Sequence, residues 1–383
     1  MTGNDRERHP ASSPRAAVFV LALCAALQCA SWSVAQTMSP PGEPLPAVEK
    51  SCLYNDSHLH LTNYIQEGPS AADFLKIMGD RVCRSTLFGI PLQQMWSYPL
   101  SGDIRPTYYL ESDAPLYYYS FTDAVIAMEY RALPPRDQAR FDPMITGFNP
   151  ADMYAADHVR RVLTLFPGVF EGIGEFTIHK EFVSSKIAGG PASLINPALD
   201  RLLDFAGDVG LVAIIHNDIV MPFTSEDKVR PYLAQLGGLF SRHPKTTIIW
   251  AHLGLGRVVQ PVKGQLAYMQ QLLANPAMSN IYLDLSWDQL AKYIVANDAT
   301  TAATADLINK YPDRFLFGTD FVAPRSPEKY FAVYQMYQPL WAKLSPEARE
   351  KVLKGNYERL FDAARVKVRA WERGNVPSVA AAQ

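Results

Sequence analysis

Residues 210–218 read GLVAIIHND. The apolar run Leu211 to Ile215 stands between a glycine and the turn-forming pair Asn217-Asp218; it is too short for a helix and ends on His216. Such a run reads as a buried strand. The same unit recurs as CLYNDSHLH (52–60), STLFGIP (85–91), DPMITGFNP (142–150), GVFEGIGEF (168–176), TTIIWAHLG (246–254), NIYLDLS (280–286) and RFLFGTD (314–320). Eight strands are therefore expected.

Their ends fall near His60, Ile90, Phe148, Glu175, His216, His252, Asp284 and Asp320, at spacings that hold a strand, a crossover helix and two loops. Helical patterns lie between them, as in ADMYAADHVRRVLTLF (151–166), NPALDRLLDFAGDVG (196–210) and VRPYLAQLGGLFSRHP (229–244). The expected fold is a single-domain (β/α)8 TIM barrel over residues 51–365. A doubly wound open sheet is the competing architecture, but no Gly-x-Gly-x-x-Gly follows the first strand. The one long gap, 91–139, holds a helical pattern from Phe121 to Leu133 after an insertion at about 91–119. On a barrel's working face such a loop reads as a lid, with Trp96, Tyr108, Tyr109 and Tyr117 to Tyr119 lining the substrate cup or packing the loop onto the barrel.

At the N-terminus, Arg6, Arg8 and Arg15 flank the apolar run Ala16–Leu27, and Ser33-Val34-Ala35 follows. This is the pattern of a secretory signal peptide over residues 1–35, cleaved after Ala35, so the chain is expected in the periplasm or outside the cell. Residues 36–50 are proline-rich and read as a linker, and residues 366–383 as a C-terminal tail. Loss of residues 1–35 removes three Arg and two acidic residues of the chain's 36 basic and 38 acidic, leaving 33 against 36. With no basic run, that balance argues against nucleic-acid binding. No later run is long enough to span a bilayer, so no stable membrane insertion is expected after cleavage. A small-molecule substrate fits, and a homo-oligomer stays open. Cys52 and Cys83 precede the working ends of neighbouring strands by similar lengths, which places them side by side for a disulfide.

Five of the eight strands finish on a side chain that can bind a metal: the His58/His60 pair, Glu175, His216, His252 and Asp320. In a barrel, strand ends converge into one cup, so these scattered residues meet in space. Imidazole with carboxylate suits zinc and similar divalent ions. Asp56 is expected to orient one of the histidines. His158 and His243 read as surface residues, and His179 and Lys180 as a loop past the fourth strand.

The order His-x-His on strand one, an acid on strand four, His on strands five and six and Asp on strand eight resembles the amidohydrolase superfamily of metal-dependent hydrolases. WAHLG, FLFGTDFVAP and VLKGNYERLF resemble its amidohydrolase-related branch, which also contains metal-dependent decarboxylases of small aromatic and unsaturated acids. The resemblance implies that His58, His60, His216 and Asp320 ligate a divalent metal. It implies that His252 is either a ligand of a second metal or a catalytic histidine. Glu175 stands where many two-metal members carry a carboxylated lysine and is closer to the glutamate of TatD-like deoxyribonucleases. One ion, zinc first, is expected, with a second open.

The implied reaction is hydrolysis of a small amide, ester or lactone by a metal-activated water, with Asp320 moving the proton and His252 stabilising the oxyanion. Non-oxidative decarboxylation of a small carboxylic acid is the alternative, and a metal-binding barrel without turnover the third reading. Lys180, Arg257 and Arg325 are the candidate substrate-carboxylate clamps.

Overall fold

Alternation along each strand decides what faces the barrel axis. In the computed structural model, which describes residues 52–223 and 230–377, eight strands form: β1 (Tyr54–Asp56), β2 (Val82–Leu87), β3 (Phe141–Ile145), β4 (Gly172–His179), β5 (Val212–Asn217), β6 (Thr247–Trp250), β7 (Ile281–Leu285) and β8 (Phe315–Phe317). The expected signal peptide and linker lie outside the described residues, as does the end of the expected tail.

Each strand pairs in parallel with the next in chain order. The ring closes where Ser57 N–H donates to Phe317 O at 3.0 Å and the short segment Leu59–His60 pairs in parallel with Phe321–Val322. The fold is a (β/α)8 barrel. Its crossover helices are α1 (Ala71–Met78), α2 (Phe121–Arg131), α3 (Ala155–Leu165), α4 (Pro197–Val209), α5 (Arg230–Arg242), α6 (Gln265–Ala274) and α7 (Asp298–Lys310). Two more, α8 (Pro327–Met336) and α9 (Asn356–Asn375), follow β8. Among the described residues no helix is long and apolar enough to cross a membrane.

Period-two alternation splits the core in two. On β5, Ala213 and Ile215 join the large outer cluster against the helices, while Val212 and Ile214 face the barrel interior. Interior side chains from the other strands, among them Met144, Ile249, Tyr282 and Leu316, meet Tyr357, Leu360, Phe361 and Ala364 of α9, which plugs the N-terminal end. Helix α9 therefore continues the barrel past residue 365, where the sequence pattern ended it. Beside this plug, Asp142 on β3 is fully buried and accepts from Arg84 Nη2 at 2.7 Å, Arg365 Nη2 at 2.7 Å and Tyr357 OH at 2.7 Å. Burial works to raise the Asp142 pKa, but Arg84 and Arg365 outweigh it and hold the carboxyl below the usual range.

Two local expectations are corrected. Strand β4 runs to His179, so Lys180 follows the strand directly rather than from within a loop. His243 is buried, not at the surface, with Nδ1 2.8 Å from Asp204 and Nε2 2.8 Å from Asp200, one turn apart on α4. The insertion forms a two-stranded antiparallel hairpin, Leu92–Gln94 with Leu116–Tyr118, and a one-turn helix at Tyr98–Ser101. Its inner side packs Leu92, Tyr109 and Leu116 against Tyr64, Ile90 and Val183.

Cys52 and Cys83 are joined by a disulfide with Cα atoms 5.3 Å apart, closing a 31-residue separation. A loop of that length gives about 3–4 kcal/mol by chain-entropy reasoning, so Cys52→Ser/Cys83→Ser should lower urea stability by that amount. Arg84→Leu should cost about 3 kcal/mol by stripping a buried carboxylate of one of its two cations. Both are measured by the shift of the urea midpoint.

Candidate metal centre

The residues expected to converge do so at the C-terminal end of the barrel. His58, His60, Glu175, His216, His252 and Asp320 are all buried. His58, His60, Glu175 and Asp320 can present one ligand atom each with all four atoms within 4.8 Å of one another. Glu175, His216 and His252 form an overlapping group under the same limit. The closest pairs are His216 Nδ1 to Glu175 Oε1 at 2.5 Å, His60 Nε2 to Asp320 Oδ1 at 3.1 Å, and His60 Nε2 to Glu175 Oε2 and His252 Nε2 to Glu175 Oε1, both at 3.3 Å.

Local chain geometry aims each group. On β5 plain alternation suffices, since His216 continues the inward row of Val212 and Ile214. On β4 it does not, because Ile173 and Phe176 both face outward and the register shifts between them, turning Glu175 inward. His252 sits on a one-turn 3-10 helix after β6 at φ +54°, and Asp320 follows β8 at φ +49°. Trp287, after β7, has φ +81°. Bulky residues in that region cost of order 1–3 kcal/mol each and persist where their surroundings hold them.

Asp284 of β7 joins the site from behind, a role the sequence pattern did not assign. Its Oδ2 lies 2.8 Å from His58 Nδ1, its Oδ1 accepts the His252 backbone N–H at 3.0 Å, and Ser286 Oγ donates to the same oxygen. An ionised carboxylate only accepts, so His58 Nδ1 carries a proton and donates to Asp284, leaving Nε2 as the nitrogen that faces the cluster. That Nε2 is buried without a hydrogen-bond partner, as a metal ligand would be. Ser286 Oγ, its proton given to Asp284, accepts from His252 Nδ1 at 2.8 Å. The His252 Nε2 faces the cluster, 3.3 Å from Glu175 Oε1 and 3.7 Å from Asp320 Oδ2. The available sign was Asp284 itself, an acid on the inward face of a strand between Tyr282 and Ser286.

Asp56 acts differently from expectation. It touches no imidazole; its carboxylate accepts from the His58 backbone N–H at 3.1 Å, Thr319 N–H at 2.8 Å, Thr319 Oγ1 at 2.6 Å and Tyr330 OH at 2.7 Å. It thus fixes the backbone under both His58 and Asp320.

Burial pushes the Glu175 carboxyl up, but Lys180 and His216 outweigh it and hold it well below the ordinary range. Asp320 is likewise held below its ordinary value because His58 and His252 outweigh its burial. Burial pulls His252 down, towards the neutral imidazole. Lys180 is buried with Nζ 3.1 Å from Glu175 Oε1, inside the cluster rather than free to clamp a substrate. Arg257 stands above it, bonded to Tyr109 OH at 2.5 Å and Tyr108 OH at 2.7 Å from the insertion, with Glu181 Oε1 at 3.3 Å. Its guanidinium and the Lys180 ammonium both lie over the Trp287 ring, at 4.8 and 5.8 Å, and that ring is 5.1 Å from His252. Arg325 is exposed, and the cluster's hydrogen bonds and ion pairs do not include it. Of the insertion's aromatics, Tyr108 and Tyr109 reach this mouth, whereas Trp96 is half exposed and Tyr117 lines an outer groove.

The donor set is therefore mixed imidazole and carboxylate, buried, with two orphaned nitrogens, His58 Nε2 and His60 Nδ1, and a buried acid behind two of the histidines. That is the chemistry of a divalent-metal site.

No curated protein matches the sequence. Among solved structures, an amidohydrolase from Burkholderia multivorans with bound zinc is 14% identical, covering 81% of this chain and 99% of that one, TM-score 0.49. A probable 2-pyrone-4,6-dicarboxylic acid hydrolase from Acinetobacter baumannii, with citric acid bound, is 10% identical, covering 81% and 99%, TM-score 0.48. The 5-carboxyvanillate decarboxylase of Sphingomonas paucimobilis is 17% identical, covering 63% and 71%, TM-score 0.40. The sequence profile of the family described as Amidohydrolase matches residues 56–363. The chain belongs to the amidohydrolase family and is an enzyme of that superfamily.

Proposed function

We propose that the protein is an exported, metal-dependent hydrolase of a small amide, ester or lactone. The observation that carries this reading is the unpartnered His58 Nε2, buried and turned by the Asp284 contact of Nδ1 towards the carboxylates of Glu175 and Asp320. His58, His60, His216 and Asp320 would hold one divalent ion, zinc first. A single ion is favoured because the Lys180 ammonium already neutralises Glu175, the carboxylate that a second ion would have to share. A divalent ion held there acidifies a water and polarises a carbonyl, the two services that hydrolysis needs near neutral pH.

The chain's own groups handle the proton. Asp320 accepts it from the attacking water. Its Oδ2 lies 3.7 Å from His252 Nε2, so a small approach of the two groups would let the proton pass to His252 and onward to the leaving group. Once protonated, His252 faces the developing oxyanion. Arg257, held by Tyr108 and Tyr109, lies at the mouth, where it would meet a polar or anionic end of the substrate. A second reading, non-oxidative decarboxylation of a small carboxylic acid, is favoured by one feature: both cations at the mouth lean on the indole that touches His252. Release of carbon dioxide from a panel of acids separates the two reactions. Export is supported by the arginine-led apolar N-terminus and by the disulfide.

Replacing residues by role tests the assignment. His58→Ala should lose both bound metal, measured by elemental analysis, and activity. His252→Asn should retain the metal and lose ~10²–10⁴ in kcat; loss of metal from that variant would instead mark His252 as a ligand. Asp284→Asn removes the acid behind His58, and metal affinity in a chelator competition should fall about 10–100-fold.

A further inference from the structure

On the outward side of the insertion, Met95, Trp96, Tyr98, Leu100 and Ile104 are all exposed, from 37% to 76%. Trp96 is held in place by its indole N–H, which donates to Gly102 O at 3.3 Å. Apolar side chains scattered singly over a surface need no explanation, but a run of five this dense does. Beside them lies a groove of about 510 Å³ lined by Ile65, Met95, Trp96 and Tyr117, with Glu67 and Arg105 also on its walls.

We propose that this surface is the interface of a homodimer, in which the insertion packs against the insertion of a second copy about a two-fold axis. An isologous contact requires a surface that complements itself. Here both halves of such a contact sit on one element: Leu100 and Ile104 project, and the groove receives. The available area is of the right size. Taken at about 200 Å² per fully exposed side chain of this kind, the five exposures amount to roughly 600 Å² per chain, most of the ~800 Å² per partner in a standard interface.

Composition points the same way. Residues 91–119 contain no lysine and six tyrosines, a bias shared with protein interfaces. Their only basic residue is Arg105, against Asp103, Glu111 and Asp113, a balance that disfavours an anionic lipid surface as the occupant. The inner side of the same insertion carries Tyr108 and Tyr109 to Arg257, so the dimer would brace the wall of the mouth. This inference does not depend on which reaction the site performs.

Size-exclusion chromatography with light scattering on the purified chain at micromolar concentration should give twice the chain mass. Leu100→Asp/Ile104→Asp should give the monomer with an unchanged far-ultraviolet circular dichroism spectrum. A monomeric wild type overturns the proposal, as does a dimer that survives in the double variant. Should that variant fail to fold, hydrogen exchange of the wild type decides: amides of residues 95–105 should slow as protein concentration rises, and exchange independent of concentration overturns it.

Discussion

The seam between the first and last strands carries the rest of the molecule. A barrel brings strand ends together only if it closes, and closure here rests on a buried carboxylate rather than on a long strand pair. Asp56 binds Thr319 through backbone and hydroxyl, Tyr330 of α8 and the His58 backbone at once. Asp320 N–H then donates to His58 O at 2.7 Å, which fixes the last strand's acid beside the first strand's histidines. The approach is so close that a Cβ on Gly318 would lie 2.6 Å from that of His58. Any side chain at 318 would push the two halves of the metal centre apart.

Given closure, the chemistry follows from what each strand presents at its end. Above the Asp142 network at the α9 plug, the interior row of Val212 and Ile214 is apolar up to His216 and then turns into imidazole and carboxylate. Behind that layer, Asp284 and Ser286 set which nitrogen of His58 and of His252 faces inward. In front of it, Lys180, Trp287, Arg257 and the insertion's tyrosines form a mouth that leaves the candidate ligands almost sealed from solvent. A site so dry strengthens every charge within it. The left-handed backbones of His252, Trp287 and Asp320 are strain concentrated at this one layer, where the turns must redirect side chains into the cup.

Much of this was legible before any coordinates. Eight short apolar runs, spaced to hold crossover helices, point to a parallel sheet buried on both faces, and the lack of a Gly-x-Gly-x-x-Gly after the first strand favours the barrel over a doubly wound sheet. The inward aim of candidate ligands at strand ends is legible for the same reason: His216 follows by simple alternation from Ile214. Glu175 could be named but not aimed, since its inward turn depends on a register shift that period-two counting does not contain. Partners separated by more than two hundred residues left no local mark; the contact between Asp284 and His58 is one, and the seat of Asp56 on Thr319 another. His243 shows the same limit, because Asp200 and Asp204 match it only once α4 packs beneath its loop. Arg325 looked like a clamp by charge alone and stands exposed.

The central claim is that side chains from the ends of the first, fifth and eighth strands hold one divalent ion. Anomalous X-ray scattering from crystals of the protein, collected across the zinc edge, locates such an ion directly. The account predicts one strong peak within bonding distance of His58, His60, His216 and Asp320, with Lys180 remaining on Glu175. A peak that excludes His58 and His60, or fully ordered side chains with no anomalous scatterer between them after growth in excess metal, would contradict it.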